Sequence, residues 1–419
     1  MNCKKMQGIF VLVFLAFISP ISTSAQESAK RPVLHEFLTE VLEGHPSLLS
    51  TEASQRAVEA RAQGKAQSIY NPEIEIGYVN NREREKEIGI SQTIDWSGKR
   101  RARSKVGRAE VAASRSAYSL AKKGLLTTVL QSLTEYQTAL QIYKVAEDRT
   151  RLSEDFLKLA QRRNLAGELP RSELLTAMLA LSESQAAKNE ASNDLSQSKE
   201  NLIALVGKER AVWPNLSGVP VADEADTFVY DIEALPEIIL ARNQIEIFRA
   251  QINVAKSERK PDPTIGVTVG QEGGGSRVDD EPRHTTVGLK LSLPIPIWNS
   301  YKAEVRAAGA DLNQSEQNYF VVENQVMARL EATMNRYQSA ANAWSEWSKQ
   351  GAMPLSEQRD LLKRLLEAQE ISAVDYLVQL NQTFEVENTS IELNGRLWNA
   401  WFAWQNASNT FDAWLEKIQ

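Results

Sequence analysis

The side chains that carry most protein chemistry are nearly absent from this chain of 419 residues. Its one cysteine is Cys3, and its three histidines, His35, His45 and His284, lie far apart in sequence. A thiol nucleophile, a disulfide or a thiolate metal site needs cysteine in the mature chain. A Ser-His-Asp triad or a His-rich metal centre needs imidazoles that can converge. An exported hydrolase has little to build with, so no enzymatic activity, cofactor or metal site is expected. The formal charge is −6, and a mildly acidic chain is a poor ligand for nucleic acid.

The first residues set the compartment. Lys4 and Lys5 precede an apolar run over residues 8–18, which Ser19 and Pro20 interrupt, and Thr23-Ser24-Ala25 supplies small residues before Gln26. This is the pattern of a cleavable signal over residues 1–25. Eleven apolar residues are too few to span a bilayer of about 30 Å. Cleavage removes Cys3, Lys4 and Lys5, leaving a cysteine-free chain of charge −8. No later stretch approaches 18 uninterrupted apolar residues, so no transmembrane helix is expected.

The elements repeat. Pro46 and Pro236 each follow the start of a helical stretch, 190 residues apart. Asn71-Pro72 and Asp262-Pro263 close those stretches at an offset of 191, Gly89 and Gly288 share a place at 199, and Trp96 and Trp298 do so at 202. The last offset persists downstream: Leu169-Pro170-Arg171-Ser172-Glu173-Leu174-Leu175 falls on Ile371-Ser372-Ala373-Val374-Asp375-Tyr376-Leu377. The expected organisation is therefore a first repeat over 26–207, a connector over 208–230 carrying Pro214, Gly218 and Pro220, and a second repeat over 231–419. Each repeat holds a helix, a β-hairpin (about 72–95 and 263–295) and a long helical hairpin, with tips near 167–173 and 369–377.

Within the hairpins, apolar and polar residues alternate. Ile74, Ile76 and Tyr78 share one face against Glu73, Glu75 and Gly77; Ile88, Ile90 and Ile94 oppose Glu87, Gly89, Ser91 and Thr93. Ile265, Val267 and Val269, then Val287, Leu289, Leu291 and Leu293, repeat the pattern. Such strands suit a soluble sheet on a core or a barrel with lipid outside and water inside. Three features favour the barrel: strands of about 8–10 residues, aromatic residues Tyr70, Trp96 and Trp298 at strand ends as a girdle, and polar loops at residues 80–86 and 271–284. Four strands cannot enclose a lumen, and open edges are not tolerated in lipid, so several chains must share one barrel. The competing class, a soluble periplasmic coiled-coil adaptor, would bury the apolar strand faces instead.

After Trp96 the pattern stays helical for about 70 residues, on the order of 100 Å. Gly167 can end that helix and Pro170 can start the next, which runs from about Ser172 to Val206. The second half repeats this from Trp298 to about Gln369, with a break at Met353-Pro354, and then from Ala373 to the C-terminus. Helices of this length form a rod rather than a compact core. The spacing of Trp398, Trp401 and Trp404, with Trp344, Trp347 and Trp414, is that of one buried helical face.

The order of these segments resembles the TolC-like outer-membrane efflux protein family across essentially the whole mature chain. The carrying residues are Val41-Leu42-Glu43-Gly44-His45-Pro46-Ser47-Leu48, Asn71-Pro72-Glu73-Ile74, Ile88-Gly89-Ile90-Ser91-Gln92, Leu293-Pro294-Ile295-Pro296-Ile297-Trp298-Asn299 and the two tips. Gly98-Lys99-Arg100, near the barrel exit, is similar to a segment of the subgroup serving heavy-metal cation exporters. The resemblance implies a mainly α fold with a small β part: a homotrimer whose protomers each give four strands to a 12-stranded barrel, continued by a helical tunnel into the periplasm.

Outer-membrane lipid, a periplasmic adaptor (membrane fusion) protein and an inner-membrane pump of the RND type are the implied partners. The implied function is a passive efflux conduit for heavy-metal cations, with multidrug efflux or type I secretion as the alternative cargoes. Gly167, Glu168, Glu173, Leu174, Ser372 and Tyr376 fall at the implied adaptor-docking tips. Asp375 falls at the first of two acidic gate positions of the family, and Val378 stands at the second. An aspartate there also stabilises a helix N-terminus by itself. Gln369 stands where the first tip has Gly167.

Overall fold

The computed structural model describes residues 34–80, 84–216, 220, 231–273, 284–350, 355–368 and 370–417. The signal segment, the middles of both hairpin loops, most of the connector, Met353-Pro354 and Gln369 lie outside the described residues. Among the described residues no helix is long and apolar enough to cross a membrane.

The chain opens with α1 (Leu34–Gly44) and α2 (Pro46–Ala66), separated by His45. His45 is a cap, not a reagent. Its Nδ1 accepts from the Ser47 backbone N–H at 3.2 Å, and its Nε2 donates to the Leu205 carbonyl at 2.8 Å. Pro46 takes the first helical position, where a missing N–H costs nothing. The hairpin β1 (Glu73–Asn80) and β2 (Arg84–Thr93) follows, then α3 (Lys99–Leu165) and α4 (Arg171–Val206). The second half runs α5 (Pro236–Glu258), β3 (Thr264–Glu272), β4 (His284–Ser292), α6 (Lys302–Gln350), α7 (Leu355–Glu367), α8 (Ala373–Ser408) and α9 (Phe411–Lys417). Helix–hairpin–helices thus occurs twice, and the four strands form one antiparallel sheet in the order β1-β2-β3-β4.

The two largest of the apolar clusters among the described residues lie in the helical rod. The larger gathers Leu130 and Leu133 of α3, Leu202 of α4, Trp213 of the connector, and Trp401, Phe402 and Trp404 of α8. Tyr337 of α6 stacks on Trp404 with ring centroids 5.5 Å apart. The tryptophan stripe is therefore helix packing. The connector is pinned to this core by Gln137, which donates to the Pro214 carbonyl at 2.6 Å and accepts from the Leu216 N–H at 3.2 Å. The smaller core lies at the tips and joins Phe156 and Ala160 to Leu362, Leu366, Tyr376, Leu380 and Phe384.

Close helix contact also needs small residues. A Cβ on Gly107 of α3 would stand 2.9 Å from the Ala62 Cα of α2. The obstructing atom is backbone, so the helices themselves would have to part. Gly107→Ala is expected to destabilise the protomer by about 1–3 kcal/mol, despite the helix propensity it gains. Thermal melting followed by circular dichroism measures this, and an unchanged or raised midpoint would refute it.

Three expectations need correction. The final helix does not run to the C-terminus. Asn409 takes a left-handed φ of +60° and ends α8, its N–H bonded to the Gln405 carbonyl. Helix α6 starts at Lys302 rather than beside Trp298, because Tyr301 takes a left-handed φ of +51° and the Asn299 side chain accepts its N–H at 2.9 Å, a turn that an α-helix cannot continue through. Tyr70 does not belong to an outward aromatic girdle, since its hydroxyl points inward and donates to Asp262 at 2.9 Å.

Candidate functional site

The sheet is inside out relative to a soluble one. Ile76 is 82% exposed and Leu289 is 84% exposed, while Ser91 on the opposite face is 3% exposed. Ile74, Ile88, Ile90, Val267, Val269 and Val287 are exposed as well. A sheet that exposes its apolar side and shelters its polar side has lipid as its outer solvent.

Glycines on the sheltered face let the sheet curl. Register places Glu75, Gly89, Thr268 and Gly288 in one row and Gly77, Glu87, Gly270 and Thr286 in the next. In both rows glycine alternates with a larger residue. Cβ atoms built on Gly89 and Gly288 would each come 2.6 Å from Thr268 side-chain atoms. Alternating small and large side chains is how a concave barrel face is filled. The curl brings the outermost strands together over the hollow, so that Lys290 Nζ reaches Glu75 Oε2 at 3.3 Å.

At the base of the sheet the Gly98-Lys99-Arg100 segment joins the two halves. Gly98 takes φ +73°, and the Asp95 carboxylate accepts from the N–H groups of Lys99 and Arg100 at 2.7 and 2.8 Å. This caps the N-terminus of α3 and turns Lys99 inward while Arg100 remains exposed. Lys99 Nζ lies 2.9 Å from Asp262 Oδ2 and 3.4 Å from Glu258. Asp262 also accepts from Tyr70 and from Ser97, the latter at 3.2 Å. The Trp96 indole donates to the Pro261 carbonyl at 2.6 Å, and Arg103 pairs with Glu258 at 3.0 Å. Sequence reading marked Lys99 as part of a motif but missed its partners, which lie about 160 residues away.

Burial alone would raise the Asp262 carboxyl. The hydrogen bonds from Lys99, Tyr70 and Ser97 outweigh it and hold the group below the usual aspartate range. Burial likewise opposes the charge on Lys99, but the bond to Asp262 and the nearby Glu258 outweigh it and raise the ammonium.

The tips are built by caps. Gly167 takes φ +78°, the Glu168 N–H reaches back to the Arg163 carbonyl at 2.9 Å, and Asn164 donates to the Leu169 carbonyl at 2.7 Å. The Glu370 N–H makes the corresponding bond to the Leu365 carbonyl at 2.9 Å. Arg163 donates to the Leu366 carbonyl at 3.2 Å and ties the two tips together. Glu173 lies in the first turn of α4, and Leu174 is half-buried against the smaller core.

Ser372 caps α8. Its hydroxyl accepts from the Asp375 N–H at 3.0 Å and donates to the Asp375 carboxylate at 2.7 Å. Asp375 is thus exposed but engaged in its own helix cap, with Val378 exposed one turn on. Tyr376 points inward onto Phe156 at 5.4 Å, and burial pushes its hydroxyl above the usual range. The exposed apolar side chains at the first tip are Leu165, Leu175, Met178 and Leu179. Sequence reading missed these. The signal was there in Leu175 and Leu179, one turn apart on one helix face.

Among the described residues no group of three or more His, Cys, Asp or Glu side chains could hold a metal ion. The arrangement offers a curved strand set with two faces and a helical rod beneath it. The family model for outer membrane efflux proteins matches residues 37–208 and 233–410. The cobalt-zinc-cadmium resistance protein CzcC of Cupriavidus metallidurans is 20% identical over 357 residues, covering 79% of this chain and 82% of that protein. The solved structure of CusC superposes with a TM-score of 0.72 at 17% identity over 90% of this chain and 92% of its own. The CmeC outer membrane channel of Campylobacter jejuni does so with a TM-score of 0.70 at 13% identity, over 92% and 89%. With two matched segments spanning most of the chain, and with lipid-facing hairpins above a helical rod, the chain is a member of the outer membrane efflux protein family.

Proposed function

We propose that three copies of this chain close one 12-stranded barrel and form a passive outer-membrane conduit, fed from the periplasm and carrying metal cations outward. The exposed apolar strand faces carry the membrane part of this proposal, and they disfavour a soluble adaptor, which would bury them. Closure by further copies follows from β1 and β4, whose outer edges have no partner strand among the described residues. The repeats over 26–207 and 231–419 each supply one hairpin, and the channel itself catalyses nothing.

The sheltered face supports a cation cargo. It carries Glu73, Glu75, Glu85, Glu87 and Glu272 against one lysine, Lys290. Glu85 directly opposes Glu272, which opposes His284. Like charges placed opposite one another destabilise a sheet, whereas rings of carboxylate along a pore attract cations and resist anions. Similarity to a protein named for cobalt, zinc and cadmium resistance points the same way. At the other end, Asp375 from three copies would add a carboxylate ring. Gly167, Glu168, Glu173, Leu174 and Ser372, with the exposed Leu175 and Leu179, would meet a periplasmic adaptor coupled to an RND-type pump.

Two measurements test this. Purified protein in planar bilayers is expected to pass cations in preference to anions, with the preference reduced by Glu85→Gln plus Glu272→Gln; anion preference would reject the cation assignment. A deletion strain challenged with cobalt, zinc and cadmium beside a drug panel is expected to lose metal tolerance. Unchanged metal tolerance with raised drug sensitivity would favour multidrug efflux. Recovery of the mature protein from the soluble periplasm would reject the channel altogether.

A further inference from the structure

The strip of α3 just below the sheet carries cations that no acidic side chain answers. Arg100, Arg101, Lys105 and Arg108 are all exposed. None of the four makes an ion pair among the described residues, and Arg108 donates to the Ser104 hydroxyl at 3.0 Å. The cations interleaved with them behave differently: Lys99 is paired with Asp262 and Glu258, and Arg103 with Glu258.

Helical phase separates the two sets. Successive residues of an α-helix are turned by about 100°, so Arg101, Lys105 and Arg108 share one face while Lys99 and Arg103 point to the far side. That far side lies under the sheltered face of the sheet, because Thr93 and Thr264 line the same cleft as Lys99 and Asp262. The two flanks of α3 are occupied by its own chain. Gly107 meets Ala62 of α2, and Val106 packs with Ile247 and Ala250 of α5. The face with Arg101, Lys105 and Arg108 is therefore the outer one, below the exposed isoleucines. Helices of the same chain lie on both sides of it, so closure of a ring at the sheet edges leaves it open.

A cleft of about 470 Å³ joins this face to the strands, and Gln92, Trp96, Arg100 and Arg101 line it. Gln92 alternates with the outward residues Ile88, Ile90 and Ile94, and Trp96 is 62% exposed. Asp95 also lines the cleft, but its carboxylate is committed to the N–H groups of Lys99 and Arg100. Two guanidinium groups against that single carboxylate leave the lining positive.

We propose that this face binds the phosphodiester headgroup of an anionic phospholipid, of the phosphatidylglycerol type, in the leaflet that faces the periplasm. An exposed indole at the edge of an apolar strand band marks the boundary between acyl chains and headgroups. Arg101 and Lys105 stand about 6 Å apart along the helix axis, which matches a headgroup layer of roughly 5–8 Å. Guanidinium forks take phosphate oxygens in pairs, and the long stems of Arg and Lys can carry their charges up to the interface. A zwitterionic headgroup brings its own cation and gains less. The second repeat supplies no equivalent: at the offset of 202, Ala303 and Ala307 stand for Arg101 and Lys105. One site per chain follows. The proposal rests on the membrane-facing strands and is independent of the trimer and of the cargo.

Native mass spectrometry of the mature protein in detergent tests this, with dioleoyl phosphatidylglycerol and dioleoyl phosphatidylethanolamine supplied in equal amounts. The unaltered chain is expected to retain the anionic lipid with a preference of about tenfold, since each basic residue near an anionic surface adds to the attraction. Arg100→Gln, Arg101→Gln and Lys105→Gln together are expected to bring the preference close to unity. Arg151→Gln, Lys158→Gln and Arg171→Gln, which remove three exposed cations at the far end of the rod, are expected to leave it unchanged.

Equal retention of the two lipids by the unaltered chain overturns the proposal, as does an undiminished preference in the first triple variant. Salt gives a reading that needs no variant to fold: about 1 M shortens the screening length to about 3 Å and is expected to abolish the preference, whereas a preference that survives it overturns the proposal. Displacement of the lipid by inorganic phosphate, beyond the effect of chloride at equal ionic strength, would assign the cleft to free anions and overturn the lipid site. Protein that fractionates with outer membranes yet shows no lipid preference loses the site and keeps its location.

Discussion

Replacing Lys99 with methionine is expected to destabilise the protomer by about 3–5 kcal/mol, the usual consequence of removing one partner from a buried ion pair. The Lys99 side chain is 8% exposed and that of Asp262 is 2% exposed. Without the ammonium, Asp262 stays enclosed with only the hydroxyls of Tyr70 and Ser97 as donors. Asp262→Asn should cost less, because it leaves no buried charge unpaired, its amide oxygen still accepts from one of those two hydroxyls, and Lys99 keeps Glu258. The double variant should recover much of the loss, since the charge would leave with its partner. Apparent melting temperatures in detergent measure all three. Additive losses in the double variant would show that the pair is not a unit.

The same pair sets a pH dependence. The Asp262 carboxyl is held below its ordinary value in the folded chain, so its contribution is present above the unfolded value of about 3.9 and disappears as pH falls through the folded one. Lys99 is held above its ordinary value. Its contribution is present below about 10.4 and disappears only as pH rises through the raised value. The joint is therefore intact throughout the physiological range. Lys99→Met should move the acid limb of the melting profile to higher pH, because Asp262 loses the strongest of the donors that hold it ionised.

What the sequence made legible and what it hid divide along the same physical line. Alternation along a strand is local, so Ile74, Ile76, Ile88 and Ile90 declared both the strands and their shared face. Four strands and the intolerance of lipid for open edges then implied further copies. The tryptophans of α8, spaced three residues apart, declared a packed face in the same way. Lys99 declared nothing of its burial, because Asp262 and Glu258 reach it only after the chain has run through two long helices and returned.

Tyr70 was misplaced for a related reason. Position at a strand end suggested a girdle, but the inward carboxylate that recruits its hydroxyl belongs to the other repeat. At the tips, helical phase separates Tyr376, which packs inside, from Asp375 and Val378, which remain outside. One residue of phase is finer than a boundary read from caps alone. The break at Asn409 was readable in principle, since asparagine tolerates the left-handed conformation, but nothing local distinguished it from other polar positions on that helix.

Gly89→Val is expected to abolish assembly of the barrel, although valine is the better strand former by propensity. A Cβ at Gly89 would sit 2.6 Å from Thr268 Cγ2 and 3.0 Å from the Val267 carbonyl oxygen. The first obstacle is a methyl group that can be removed; the second is backbone in the neighbouring strand and cannot yield without opening the curve. Overpacking of this kind costs about 1–3 kcal/mol per site, and a trimer repeats it three times on one closed ring. The prediction is a loss of heat-resistant trimer from the outer-membrane fraction on unheated gels. Gly89→Ala should be milder, and Thr268→Ala should rescue it in part by removing the methyl group while the Val267 carbonyl stays close. Ile90→Val serves as the control: it lies on the next residue of the same strand but faces outward, is 56% exposed, and should assemble normally. Assembly of Gly89→Val at the level of the unaltered chain would mean that the sheet is not curved against this face. The lumen would then have to be sought on the side of the isoleucines.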